Sequence, residues 1–189
     1  MNIPSTAQCF KLIQDMDMMD HIIDHSVMVG TVALCLGRHL KKTFPLIDLN
    51  LTASAALLHD ITKTRSLNTG EIHSQTGCSL MENLGYPEVG DVIRQHVVLD
   101  RLHLDEPVSE PEIVNYSDKR VLHDKVVSLD LRLDYIRDRY GTNDRFRSRI
   151  NQMIKNTKTL ERKLFRRLPF TPSGLEQEID TGIFSQQGS

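Results

Sequence analysis

The run Ala-Ala-Leu-Leu-His-Asp at residues 55–60 ends an apolar, helix-forming segment on an imidazole and a carboxylate side by side. An unpaired buried charge costs several kcal/mol or more, on the order of a small domain's whole stability, so both groups need partners. Four more ionisable residues fall where helical spacing expects aliphatics. His25 lies between Ile22 and Val29, and His73 heads a stripe through Gly77, Leu80 and Leu84. His96 follows Val89, Val92 and Ile93, and Asp118 stands four after Val114 and three before Val121. A lone histidine on an apolar face is more often a satisfied core residue than a ligand. Six such groups from five predicted helices each need a buried partner unless they share one. A divalent cation is the economical shared partner, taking imidazole nitrogen and carboxylate oxygen at about 2.0–2.2 Å.

His25, His59, Asp60, His73, His96 and Asp118 are therefore the expected metal ligands, around one ion or two. Neighbouring helical side chains diverge by about 100°, so His59 and Asp60 can approach different edges of one ion. The two oxygens of Asp60 can also bridge to a second ion served by His73 and His96. Neutral imidazoles with only two carboxylates leave the cluster net positive. Such a centre attracts phosphate and can make hydroxide from bound water near neutral pH.

The elements that must position these residues read as helical almost throughout. Residues 20–42 carry an inward stripe at Ile22, Val29, Val32 and Leu36, and residues 50–63 form a more apolar helix. Residues 73–85 form a helix stopped at Gly85, and Pro87 opens a short one through residue 97. After a polar loop (100–111), further helices are predicted over 111–122 and 125–141, then a basic helix over 144–167 edged by Phe146, Ile150, Ile154 and Leu164. That last helix reads as solvated or packing rather than as a partner surface. The expected architecture is all-α: a single-domain bundle of six or more helices over residues 1–167, with a core at 20–140 and a loosely ordered tail at 168–189.

Composition narrows the function classes. Apolar residues make up 39% and charged residues 25% of 189, which suits a globular domain with a sizeable core. No apolar run approaches the roughly 20 residues that span a bilayer, and the start of the chain lacks a secretory pattern. A net charge of −2 gives no reason to expect bulk nucleic acid or membrane as a partner. The absence of Trp argues against an aromatic stacking platform. Cys9, Cys35 and Cys78 are widely spaced and form no CxxC, as expected of reduced structural thiols in a cytoplasmic protein. A homodimer is compatible with all of this.

His25 in "DHSVMVG", the doublet in "ALLHDITK" and Asp118 in "NYSDKRV" together resemble the HD-domain superfamily of metal-dependent phosphohydrolases, over roughly residues 20–140. His73 in "HSQTG" and His96 in "VIRQH" are similar to the extra histidines of two-metal members, including the "HDIG" type and bacterial hydrolases that split diadenosine tetraphosphate. The resemblance implies an HD-type α-helical fold and hydrolysis of a phosphate ester or anhydride. It places His25, His59, Asp60 and Asp118 at a first metal and Asp60, His73 and His96 at a second. It also implies that Lys63 contacts substrate phosphate beside a catalytic Asp60, with Arg94, Lys119 and Arg132 as weaker phosphate-contact candidates. Thr62 stands where the "HDIG" form has glycine, a local backbone change. Val97 replaces a second histidine found in cyclic-dinucleotide hydrolases, which argues against a third metal. His21, His39 and His123 match no family position, and His103 is a candidate for lining the pocket.

The expected activity is hydrolysis of a nucleotide or dinucleotide by metal-activated hydroxide, with iron, manganese or a similar divalent ion. The expected partner is thus a small phosphorylated substrate. Two alternatives belong to other classes. One is an HD-type di-iron oxygenase using the same ligand set. The other is a non-catalytic sensor or scaffold with structural metal, marked by a closed coordination sphere.

Overall fold

In the computed structural model, which describes residues 1–184, the chain is built around one helix that is apolar on every side. This is α3 (Leu49–Leu58), in which every residue from Leu51 on is buried. Asp48 caps it by accepting from the backbone of Asn50 and Leu51 at 2.8 and 3.1 Å. Around it pack α1 (Thr6–Asp15), α2 (Asp20–Lys41), α6 (Pro87–Arg94) and α7 (Glu110–Asp118). The first of these was not expected from the apolar pattern; a Ser5–Gln8 capping box starts it. Next to α6 lies α5 (His73–Asn83), which ends at a left-handed Gly85, as its position predicts.

The helix predicted over 50–63 is broken in two. After Leu58 the chain turns through His59–Thr62 and resumes as α4 (Lys63–Thr69). The buried Thr62 hydroxyl donates to His73 O at 2.9 Å and meets Thr76 Oγ1 at 2.8 Å, tying this turn to the start of α5. Local helical propensity yields there to a tertiary hydrogen bond.

Two helices predicted to meet across residues 122–125 are separated instead by a small antiparallel hairpin, β1 (Val121–Leu122) and β2 (Lys125–Val126). His123 turns it with φ +56°, in the left-handed region. Beyond it α8 (Leu129–Tyr140) and α9 (Asp144–Phe165) form a helical pair against the bundle. The apolar edge predicted for α9 is only partly used, since Ile150 and Leu164 are buried while Phe146 is exposed. A buried Lys163–Glu112 pair at 2.7 Å fastens α9 to α7.

The segment expected to be a loose tail is docked over residues 168–184; residues 185–189 lie outside the described part. A 3₁₀ turn (Pro172–Gly174) leads into α10 (Leu175–Glu178), with Leu175 fully buried. Arg120 donates to Pro172 O at 2.9 Å, and Cys35 Sγ to Glu178 O at 3.4 Å. Phe184 is seated over Gly30, where an added Cβ would lie 3.0 Å from its ring. Isolated apolar anchors without a period do this work, which is why no periodicity signals it. Cys9, Cys35 and Cys78 are free and buried. No helix of the described residues is long and apolar enough to cross a membrane.

Candidate metal centre

α2 contributes His25 from its buried face, the turn after α3 contributes His59 and Asp60, α5 opens on His73, α6 is followed two residues on by His96, and α7 ends on Asp118. The structure brings all of these side chains together. His25 Nε2 lies 3.1 Å from Asp118 Oδ1, and His59 Nε2 lies 3.3 Å from Asp60 Oδ2 and 3.8 Å from Asp118 Oδ1. Asp60 turns its other oxygen the opposite way, with Oδ1 3.3 Å from His73 Nε2 and 3.7 Å from His96 Nε2. His73 and His96 face each other, Nε2 to Nε2, at 3.2 Å.

Three of the imidazoles have their far nitrogen fixed by a backbone carbonyl. His25 Nδ1 bonds His123 O at 2.9 Å, His59 Nδ1 bonds Ala56 O at 2.8 Å, and His96 Nδ1 bonds Ile93 O at 2.7 Å. A carbonyl only accepts, so each Nδ1 carries the hydrogen and each Nε2 points a lone pair inward when the ring is neutral. The left-handed turn at His123 thus presents the carbonyl that orients His25.

Two buried atoms are left without any hydrogen-bond partner at the middle of this cluster, His59 Nε2 and Asp60 Oδ1. Buried polar atoms are nearly always paired, so these two point to a ligand. Ligands at about 2.0–2.2 Å from one ion lie roughly 3.0–3.4 Å apart in tetrahedral or octahedral geometry. The closer separations above, 3.1 to 3.3 Å, have that spacing. His25, His59 and Asp118 form one group whose donor atoms lie within 4.8 Å of one another, and His59, Asp60 and His96 form a second. The donor set fits a divalent cation in each.

The electrostatics agree with that fit. Burial alone would raise the Asp60 carboxyl, yet His59 and Lys63 hold it well below the usual carboxylate range. Burial likewise opposes ionisation of Asp118, but the Lys119 ammonium beside it holds the carboxyl well below the usual carboxylate range. His96 is pushed down to about 3, first by burial and then by His59, and so stays neutral as a ligand must be. His59 is the exception: the attraction of Asp60 and Asp118 outweighs its burial and shifts it upward, so a cation held there would displace a proton.

The HD domain family model matches residues 22–124, more than half of the chain. This chain belongs to the HD domain family. No curated protein and no solved structure matches it. The family is in general one of metal-dependent phosphohydrolases, and all six clustered side chains lie inside the matched segment of this HD domain.

A cavity of about 260 Å³ opens over the cluster, lined by His25 and Asp60 on one side and by Arg132, Tyr135, Arg139 and Tyr140 of α8 on the other. Lys63 also lines it and donates to Asp60 Oδ2 at 2.7 Å, with 31% of its side chain exposed. Arg132 reaches to 3.6 Å from Asp118 Oδ1, lies over the Tyr135 ring, and keeps a buried Nε without a partner. The remaining phosphate-contact candidates stand elsewhere. Arg94 is taken up by Asp91 and Asp100 at 2.8 and 2.7 Å on the outer face of α6. Lys119 is buried behind Asp118 at 2% exposure, with its ammonium on His96 O at 2.6 Å. Charge and closeness in sequence to a ligand mark both as candidates but do not reveal the direction of a side chain. His103 is exposed in the loop before α7 and does not line this cavity. Sequence reading missed His21 and His123, which do line it, and Tyr135, Arg139 and Tyr140, which share the α8 face of Arg132. The i, i+3, i+7 spacing of that face was the available signal.

Proposed function

We propose that this protein is a metal-dependent phosphohydrolase that cleaves a phosphate ester or anhydride of a small molecule, a nucleotide or dinucleotide being the favoured class. The observation that carries the reading is the pair of unpartnered buried atoms, His59 Nε2 and Asp60 Oδ1, beneath a cavity walled by Lys63 and Arg132. His25, His59 and Asp118 would hold one divalent cation, and Asp60, His73 and His96 would hold another with His59 beside them. Such a cation, when bound, makes a water acidic enough to supply hydroxide and neutralises charge on phosphate oxygens.

The chain's own groups do the rest. Lys63, tethered by Asp60, and Arg132, tethered by Asp118 and Tyr135, face the cavity as two fixed cations for the non-bridging oxygens of a phosphoryl group. Holding both cations in place beforehand means no reorganisation is needed as charge develops. Tyr140 and Arg139 on the same helix also line the cavity. A cytoplasmic setting, with neither membrane nor bulk nucleic acid as partner, suits the free buried cysteines and near-neutral charge.

The test is metal analysis of anaerobically purified protein, followed by a phosphate-release screen over nucleoside phosphates, dinucleoside polyphosphates and simple phosphomonoesters. Asp60→Ala is expected to lose most bound metal and about a thousandfold or more of the activity. Retention of both, or dioxygen consumption in place of phosphate release, overturns the assignment.

A further inference from the structure

α7 does more than deliver Asp118. Asn115 and Lys119, one helical turn apart and both buried, reach from it to the end of α6. The Asn115 amide donates to the carbonyls of Gln95 and His96, each at 2.9 Å. The Lys119 ammonium donates to the same His96 carbonyl at 2.6 Å and to Asp118 Oδ2 at 3.3 Å. His96 O is therefore held by two side chains of α7, while its ring is fixed through Nδ1 to Ile93 O. Asp118 is fixed in turn, with Oδ2 toward Lys119 and Oδ1 toward His25 and His59.

Carbonyls at a helix end are ordinarily satisfied by water or a glycine turn. Burying an ammonium to do so costs more than the cap contributes, unless the charge has a further task. Here the same ammonium touches one ligand from each half of the centre: the carboxylate of Asp118 from the His25 group and the backbone of His96 from the Asp60 group. A shift of either ligand moves the point on which the other rests.

We propose that Lys119, seconded by Asn115, is a positioning residue that couples the two cation positions, so that ordering Asp118 around one ion fixes His96 for the other. The proposal rests on both groups taking a cation, as in the function proposed above, but not on hydrolysis. Contacts behind metal ligands are typically worth about 10–100-fold in affinity, and the effect of Lys119 falls on both sites at once.

The experiment titrates metal-stripped protein with Mn²⁺, counting bound ions by electron paramagnetic resonance and calorimetry, with folding monitored by circular dichroism. The native chain is expected to take two ions, the second more tightly once the first is in place. Lys119→Met is expected to fold, lose that cooperativity, and bind the second ion about 10–100-fold more weakly. Asn115→Leu, which spares the Asp118 contact, is expected to give a smaller loss of the same sign, and it decides by the same readout if Lys119→Met does not fold. A purely structural role would lower thermal stability and leave stoichiometry and curve shape unchanged. Two ions bound with native affinities by the deciding variant, or a single ion bound by the native chain, overturns the proposal. Cooperative Mn²⁺ binding without phosphate release would overturn the hydrolase reading alone.

Discussion

Across the cavity, the inner and outer walls differ in how much of each side chain is fixed. The inner wall is His25 and Asp60, backed by His59, His73, His96 and Asp118, mostly buried, three of the imidazoles with a ring nitrogen pinned by a carbonyl. The outer wall is α8, which buries only Leu129 and Leu133 and leaves Arg139 and Tyr140 exposed. The family match ends at residue 124, between the two. A metal tolerates little positional error, so its ligands sit on packed elements supported from behind. Under the proposed function the substrate would meet α8, and a substrate wall gains from adaptability. The contrast teaches that the part of the chain covered by the family match is the tightly packed one, while the cavity's other wall lies beyond it on a loosely packed helix.

The contrast can be broken most severely at Lys63, the cation anchored to the inner wall. Lys63→Met is expected to lower kcat about 100–1000-fold, more than it changes KM, with bound metal retained by elemental analysis. At the outer wall, Arg132→Met is expected to cost about 10–100-fold in kcat/KM, again with native metal content. Loss of metal in that variant would show that Arg132 belongs to the inner wall by function.

Acid stability sharpens the same contrast. His96 has an ordinary histidine value near 6.5 when unfolded and is pushed down to about 3 in the fold. The unfolded state therefore binds the extra proton first. Stability from this group is fully present above about pH 6.5 and is lost progressively as pH falls toward 3. Urea midpoints of metal-stripped protein should fall over that window, and His96→Gln should flatten the fall. His59, whose value is raised, contributes with the opposite sign, so comparison with the variant isolates His96. Smallest of all is Arg94→Ala, outside both walls. It removes two exposed ion pairs, and activity should stay within roughly a factor of two, with stability within about 0.5 kcal/mol.

How far the site was legible depends on the range of the interaction involved. His25, His73 and His96 stood out because each occupies a position that its own helix reserves for an aliphatic, which is a matter of a few residues. The turn at His59–Thr62 was not legible, because the Thr62 hydroxyl that holds it bonds to His73 and Thr76 on another helix. On that same helix Gly77 lets α6 approach closely, since a Cβ there would lie 3.0 Å from Ile93. Lys119 and Arg132 were both basic residues near a ligand; only their burial and direction separate the one behind the centre from the one in front.

By itself, then, the sequence determined the all-helical class and the set of polar residues on inner faces, because helical period and the cost of burying charge are local properties of the chain. The tertiary structure alone decided which oxygen of Asp60 faces which histidine, which carbonyl fixes each ring, and how residues 168–184 are anchored. Those depend on atoms far apart in sequence meeting within hydrogen-bond distance, and no local pattern specifies such a meeting.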